Sequence, residues 1–381
     1  MSGFDAVVNF GRKATRRLQS AHKPLVRLMR QRARAQEHHE FREAADELDR
    51  AIARVASGRA PIIVGPWLAE VGYEVLYWIP FLRWFQDAHG VHRDRLIVVS
   101  RGGMEPAYGE LAGTYVDLFD LASPAEVAAR NAERRSLAEG GGQKQSGVSR
   151  YDEELIAAVQ TRLGVGHSVT LHPSMMFGLF RHVWYGNLPF DVLWRHTRYA
   201  KAERPSSTAA SAALDHVSLP GEFIAVKVYG GPALGTSEAT KRAVADVVKR
   251  AASVAPVVVL DTELGVDEHR DFELEALPGV ISARSWMTPR TNLAVQIALI
   301  ARSRFFLGTC GGLAWMSPFL GVPTVALYDA DRLIAPHLFV SRLAGTRVNA
   351  ADFTTIDLRA LDRIARDGPA PNSPTDDGRL E

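Results

Sequence analysis

The sequence predicts an α/β fold: two Rossmann-like domains facing a cleft, preceded by an N-terminal helical extension. Three observations carry this. Short apolar runs bounded by Gly and Pro, at 60–65, 95–100, 223–228 and 305–308, read as strands buried on both faces. They alternate with stretches of helical periodicity, which implies a parallel sheet. The pattern breaks over the irregular stretch 186–220, rich in Pro, Ser and Thr towards its end, and restarts at Phe223.

The bulk properties agree. A length of 381 residues predicts two or three domains. Apolar content of 46% with 23% charged residues is that of a soluble globular chain. Cys310 is the single cysteine, which excludes a disulfide framework and a cysteine-rich zinc site and fits a reducing compartment. No apolar run approaches the roughly 20 residues that span a bilayer, and the start lacks an apolar signal core. The expected location is cytoplasmic.

The net charge of +2 is unevenly spread. In residues 1–36, Arg12, Lys13, Arg16, Arg17, Lys23, Arg27, Arg30, Arg32 and Arg34 face one acid, Asp5. Interleaved apolar residues at loosely helical spacing suit an anionic membrane surface or a partner. A solvated arm and a packing helix are the alternatives. No nucleic-acid fold signature accompanies the arm, so nucleic acid is not an expected partner. Over 37–57, Phe41, Ala45, Leu48, Ile52 and Val55 recur at helical spacing before Ser57-Gly58. This predicts an amphipathic helix packed on the domain that follows.

In the first half, a strand at 60–65 leads into Gly65-Pro66-Trp67 and then an apolar helix to about His89. Strands follow at 95–100 and 115–121, then a helix over 123–137. A flexible surface loop is expected at 140–145, and a helix at 151–163. A strand ends at His172-Pro173, and Ser174 is the expected cap of the next helix. In the second half a strand at 223–228 runs into Tyr229-Gly230-Gly231, then a helix over 238–253. Strands at 257–260 and 280–282 and a helix over 292–301 lead to Phe305-Phe306-Leu307-Gly308-Thr309-Cys310-Gly311-Gly312. A helix, a tight turn and a strand ending at Tyr328 come next. A terminal helix is expected over 351–366 and a disordered tail over 367–381.

Ligands of such folds sit at the carboxyl ends of parallel strands, where the glycine-rich and charged turns of this sequence fall. A glycine pair opening a helix leaves bare N–H groups at the positive end of the helix dipole, which suits a phosphate. Close helix–strand packing is the equal alternative for Gly311 and Gly312. Lys227 ends a run that reads as buried, so its charge requires a partner. Gly230, Gly231 and Thr309 are further phosphate-side candidates. Thr236-Ser237 reads as a helix cap. No metal site is expected: Asp329 and Asp331 follow a strand on the surface side of a turn, and His38-His39 sits on the amphipathic helix.

The stretch from Gly311 through Phe319-Leu320-Gly321-Val322-Pro323-Thr324-Val325-Ala326-Leu327-Tyr328 resembles the donor-binding region of glycosyltransferases of the two-domain GT-B fold, above all heptosyltransferases and related bacterial surface-polysaccharide enzymes. Those heptosyltransferases carry an Asp before the glycine turn and a His after it, where this chain has Cys310 and Trp315. Gly72-Tyr73-Glu74-Val75-Leu76-Tyr77-Trp78-Ile79-Pro80 resembles their first turn, and Glu74 falls on the place of the proposed base. Gly65-Pro66-Trp67 with Glu70 through Glu74 is similar to a segment of a related bacterial group. The likeness does not reach residues 1–58.

The resemblance implies a metal-independent glycosyltransferase, with no cofactor and a nucleotide-diphosphate sugar as donor. The acceptor would be a bacterial glycan or a lipid-linked molecule at the inner membrane face. It assigns 59–200 to an acceptor domain and 201–366 to a nucleotide-sugar domain. Glu74 is the first candidate base, with Glu70 and His172 behind it; Glu70 reads first as an acid that the dipole favours at a helix start, and for Glu74 a structural reading is the equal alternative. Lys227 would meet the diphosphate. Trp67, Tyr73 and Arg181 are acceptor-side candidates, since aromatic faces stack on sugars. A nicotinamide-dependent dehydrogenase is disfavoured because no Gly-x-Gly-x-x-Gly follows either first strand. A catalytically silent adaptor on the same scaffold is the remaining alternative.

Overall fold

The computed structural model describes residues 36, 39–137, 145–202, 213–262, 264, 269–330 and 334–360. Most of the basic arm, His38, the glycine-rich run 140–144, Asp331 and the tail lie outside the described residues. Among the described residues no helix is long and apolar enough to cross a membrane.

Two parallel sheets form the frame. In the first half, β1 (Ile62–Val64), β2 (Leu96–Ser100), β3 (Thr114–Asp117) and β4 (Val169–Leu171) lie in the order β3-β2-β1-β4. In the second, β5 (Ile224–Lys227), β7 (Val257–Val259), β9 (Val280–Ser282), β10 (Phe305–Thr309), β11 (Thr324–Tyr328) and β12 (Phe353–Asp357) lie in the order β12-β11-β10-β5-β7-β9. Between β5 and β7, and between β7 and β9, run the short strands β6 (Tyr229–Gly230) and β8 (Arg270–Asp271), which pair antiparallel. In each main sheet the order reverses between its first and fourth strands, β1 with β4 and β5 with β10. A crevice opens at such a reversal, outside the carboxyl ends of the strands. Two Rossmann-like units are present, as the alternating pattern predicts.

The strands form where the sequence is rich in β-branched residues buried on both faces. All of Ile62–Val64, Leu96–Ser100 and Val257–Val259 are buried. The amphipathic segment is a helix over 39–57. Its Ile52 is fully buried, Leu48 reaches Gly178, Phe41 stacks on His182 at 4.2 Å, and Asp49 pairs with His196 at 2.8 Å. It therefore packs on the first half, as its apolar stripe predicts.

Four local expectations are corrected. The helix expected at 351–366 is instead β12, paired along β11 from Phe353 to Asp357. Phe353 is aromatic and Thr354, Thr355 and Ile356 are β-branched, and β11 offers them an open edge. Helix begins only at 358–360. The third strand stops at Asp117, whose side chain caps the turn Leu118–Asp120. The cap of the helix Pro173–Trp184 is His172, whose Nδ1 accepts the Ser174 N–H at 3.1 Å. Gln145, expected on a surface loop, is fully buried: it accepts the Leu68 N–H and donates to the Pro66 carbonyl and Asp152.

The loop between β6 and the helix Glu238–Ala252 is tied down by Asp329. Its carboxylate accepts the Gly235 N–H at 2.9 Å and the Thr240 hydroxyl at 3.0 Å, and Ser237 caps the helix. Asp329→Ala leaves both donors without this partner and is expected to lower stability by about 1–3 kcal/mol. A urea midpoint equal to that of the parent would show that this carboxylate does not hold the loop.

Candidate active site

The carboxyl ends of the two sheets meet. After β1 the chain passes through Gly65-Pro66-Trp67, with the Trp67 N–H on the Val99 carbonyl at 2.9 Å, and enters a helical run. That run has three parts: an α-helical start Val71–Tyr73, a π-helical turn Glu74–Trp78 and an α-helix Ile79–His89. A π turn inserts one residue per turn and redirects the side chains that follow it. Here it begins at the candidate base.

Glu74 is fully buried at the end of β2. Its Oε1 accepts from the Ser100 hydroxyl and from the Tyr108 hydroxyl, each at 2.5 Å. Its Oε2 is buried and has no hydrogen-bond partner among the described residues. Burial pushes the carboxyl from its ordinary 4.5 up to about 7, against the two hydroxyls and Arg101, which stabilise the anion. Asp117 adds a further upward push. Arg101 is itself buried and donates to the Ala69 carbonyl. The result is a carboxyl poised near neutrality, the range a general base needs.

The other half brings its glycine turn to the same place. Gly311 has φ +140° and Gly312 φ +41°, in the left-handed region that favours glycine. A Cβ on either would lie within 3.2 Å of the Tyr229 hydroxyl. Thr309 fixes this corner: its hydroxyl donates to the Tyr229 carbonyl at 2.8 Å and accepts the Tyr229 N–H at 2.9 Å. The helix that follows, Gly312–Met316, has five residues. Gly72 lies directly against it, since a Cβ there would sit 2.8 Å from the Gly312 amide nitrogen and 2.9 Å from the Trp315 ring. Cys310 and Trp315, where the chain departs from the heptosyltransferase pattern, are both buried in this seam. Burial pushes the Cys310 thiol up to about 12.

His337 is the residue that sequence reading missed. It lies on the helix Ala335–Arg347 of the second half and inserts among first-half aromatics. Its Nε2 meets the Tyr73 hydroxyl at 3.0 Å and its Nδ1 the Tyr77 hydroxyl at 2.5 Å. The rings of Trp184 and Trp315 pack within 5.8 Å of it. No short motif marks it; its signal is spatial, from residues more than two hundred positions apart.

The other candidates fall in three groups. Lys227 does have the partner its burial demands: Asp271, at 2.7 Å, on the short strand β8. Gly230 and Gly231 belong to a corner closed by Gly231–Leu234 hydrogen bonds, and a Cβ on Gly230 would strike Thr236 at 2.2 Å. Trp67 is fully buried between Trp78 and Phe177, so it is a core residue with no face to offer an acceptor. His172 is also buried, its Nε2 3.5 Å from Asp152, a pairing that contributes to holding the Asp152 carboxyl low. Tyr73 and Glu70 are part-buried at the seam, and Arg181 is exposed beside His182. Thus Glu74, Tyr73, Gly311 and Gly312 lie along the seam, while Trp67 and His172 are taken up by core and cap contacts and Arg181 is exposed.

No protein-family model matches the chain, and no curated protein matches it. Solved structures similar to it include the ADP-heptose lipopolysaccharide heptosyltransferase II of Escherichia coli, 15% identical, covering 70% of this chain and 84% of that one at a TM-score of 0.39. A glycosyl transferase family 9 protein of Veillonella parvula is 12% identical over 81% and 89%, at 0.42. A UDP-GlcNAc 2-epimerase of Methanocaldococcus jannaschii is 10% identical over 81% and 91%, at 0.35.

Two outcomes test this geometry. Below about pH 4.5 Glu74 is protonated in both folded and unfolded chains and contributes nothing to pH dependence. As pH rises the unfolded chain ionises first, so stability falls, on the order of 3 kcal/mol in all, and the loss is complete above about pH 7. Glu74→Gln removes this slope, and equal slopes in parent and variant urea titrations would refute it. Gly72→Ala places a methyl group against the Gly312 amide and is expected to cost about 1–3 kcal/mol, read as a lower melting temperature.

Proposed function

We propose that the protein is a metal-independent glycosyltransferase that moves a sugar from a nucleotide-diphosphate donor to a bacterial glycan or lipid-linked acceptor at the cytoplasmic membrane face. The observation that carries the reading is Glu74: a carboxyl poised near neutrality, one oxygen without a partner among the described residues, beside the meeting point of two sheet-reversal crevices. The resemblance of the flanking segments to GT-B enzymes supports it.

In this reading the halves part at the Gly72–Gly312 contact to admit substrates. Oε2 of Glu74 takes the proton of the acceptor hydroxyl. The acceptor oxygen forms the new bond to the anomeric carbon, and the bond from that carbon to the diphosphate breaks. Lys227 offsets charge on the departing diphosphate, with the amides of Gly311 and Gly312 beside it. Proton transfer to a positioned base is worth about 10²–10⁴-fold. The basic arm of residues 1–36 would hold the protein near an anionic membrane.

A second reading rests on a specific observation. Glu74 is sealed, Lys227 is already paired with Asp271, and Gly72 and Tyr229 cover the glycine turn. Such a closed seam also suits a silent adaptor on the same scaffold.

A thermal-shift series with UDP-, GDP-, ADP-, CMP- and dTDP-sugars separates the two. The transferase predicts stabilisation by one nucleotide class, as expected when a ligand binds only the folded state. It also predicts a rate that rises with pH through about 7, as Glu74 loses its proton, and falls about 10²–10⁴-fold in Glu74→Gln. No stabilisation by any of these sugars would favour the adaptor.

A further inference from the structure

Among the described residues four acids are buried: Glu74, Asp117, Asp152 and Asp261. Three of them have both carboxylate oxygens taken. Asp117 accepts the Phe119 N–H on Oδ1 and the Gly103 N–H on Oδ2. Asp152 accepts from the Gln145 amide on one oxygen and from the Ser149 N–H on the other. Asp261 divides the Ser282 hydroxyl and the Arg284 guanidinium in the same way. A carboxylate held for structure spreads its bonds like this, because each bare buried oxygen costs free energy. Glu74 is loaded on one side only. Ser100 and Tyr108 both donate to Oε1, at 2.5 Å each, and Oε2 has no partner among the described residues.

Two hydroxyls saturate one oxygen. A carboxylate offers about four lone-pair sites, two on each oxygen, and each hydroxyl has a single O–H to give. The distances fall in the range of charge-assisted O–H···O⁻ bonds, roughly 2.5–2.7 Å. Both donors are fixed in place. Ser100 is fully buried at the end of β2, in register with Asp117 of β3, and Tyr108 is buried at the end of the helix Glu105–Tyr108. The charged and titratable groups about Glu74 are Tyr108 itself, Arg101 after β2, and Tyr115 and Asp117 of β3. A proton arriving at Glu74 therefore finds one oxygen open to it.

We infer that Ser100 and Tyr108 are a positioning pair for Glu74: by filling Oε1 they leave Oε2 as the oxygen that takes the proton of the acceptor hydroxyl. The inference rests on the transferase reading for what brings the proton, whereas the hold of the pair on Glu74 can be tested without a substrate. In the transfer the acceptor O–H bond breaks, its electron pair stays with the acceptor oxygen, and an O–H bond forms at Oε2. Oε1 then becomes a carbonyl oxygen, a weaker acceptor. Both hydrogen bonds thus favour the ionised carboxylate and oppose burial, and without them Glu74 keeps its proton to higher pH.

The test is infrared difference titration of the full chain, which follows the C=O band of the protonated carboxyl. Glu74→Gln identifies that band by its loss. Tyr108→Phe and Ser100→Ala each remove one donor oxygen. In each variant the titration of Glu74 should move upward from about 7 by about one pH unit, and further in the double variant. The band itself should move to higher frequency, as a carbonyl does on losing a hydrogen bond. Stability in urea should go on falling with pH beyond the point where the parent levels off. With a nucleotide sugar that stabilises the parent, the rise of kcat with pH should move upward by the same amount, while KM for the donor stays within about twofold. A lower melting temperature with titration and band unmoved would reduce the two hydroxyls to core hydrogen bonds and overturn the pair. A moved titration with an unmoved kcat profile would overturn it as well. A moved titration in a protein that no nucleotide sugar stabilises would sink the transferase reading and uphold the hold of the pair on Glu74.

Discussion

The contact on which this structure turns is backbone against backbone: Gly72 of the first half on the amide of Gly312 of the second. No side chain fits between them. Because both partners are glycine, the start of the first helical run can lie on the start of the helix Gly312–Met316, and Trp315 closes over the joint. His337 then reaches across and takes both tyrosine hydroxyls, Tyr73 and Tyr77, from the facing half. The apolar core consequently runs without a break from Ile62 in one half to Ala326 and Val340 in the other.

That seam explains the state of Glu74. A carboxylate open to the cleft would be solvated and would ionise readily. Here the joint excludes water, and Ser100 and Tyr108 supply hydrogen bonds to one oxygen only. Desolvation therefore outweighs the hydrogen bonds and the nearby Arg101. The same closure that makes the group chemically interesting also hides it, so reactivity and opening are linked through one contact.

The strand–helix alternation was legible because it rests on local physics. β-Branched runs buried on both faces and apolar residues at helical spacing declare themselves within a dozen residues. The break over 186–220 and the restart at Phe223 also follow from composition. Where local signals misled, a partner elsewhere decided. Phe353–Asp357 reads as helix alone and becomes strand because β11 presents an edge. His172, a candidate base, becomes a helix cap because Asp152 and Ser174 surround it. Trp67, placed beside an acceptor by its motif, is enclosed by Trp78 and Phe177.

By itself, then, the sequence determined the two parallel-sheet units, the glycine turn at 311–312, the acid at 74 and the need of Lys227 for a partner. Each follows from residue type and near neighbours. Only the tertiary structure decided that Asp271 is that partner, that Glu74 is sealed and shifted, and that His337 joins the halves. The physical reason is range. Propensity and periodicity act over a few residues, whereas desolvation and ion pairing depend on which distant segments come to lie on either side of one atom.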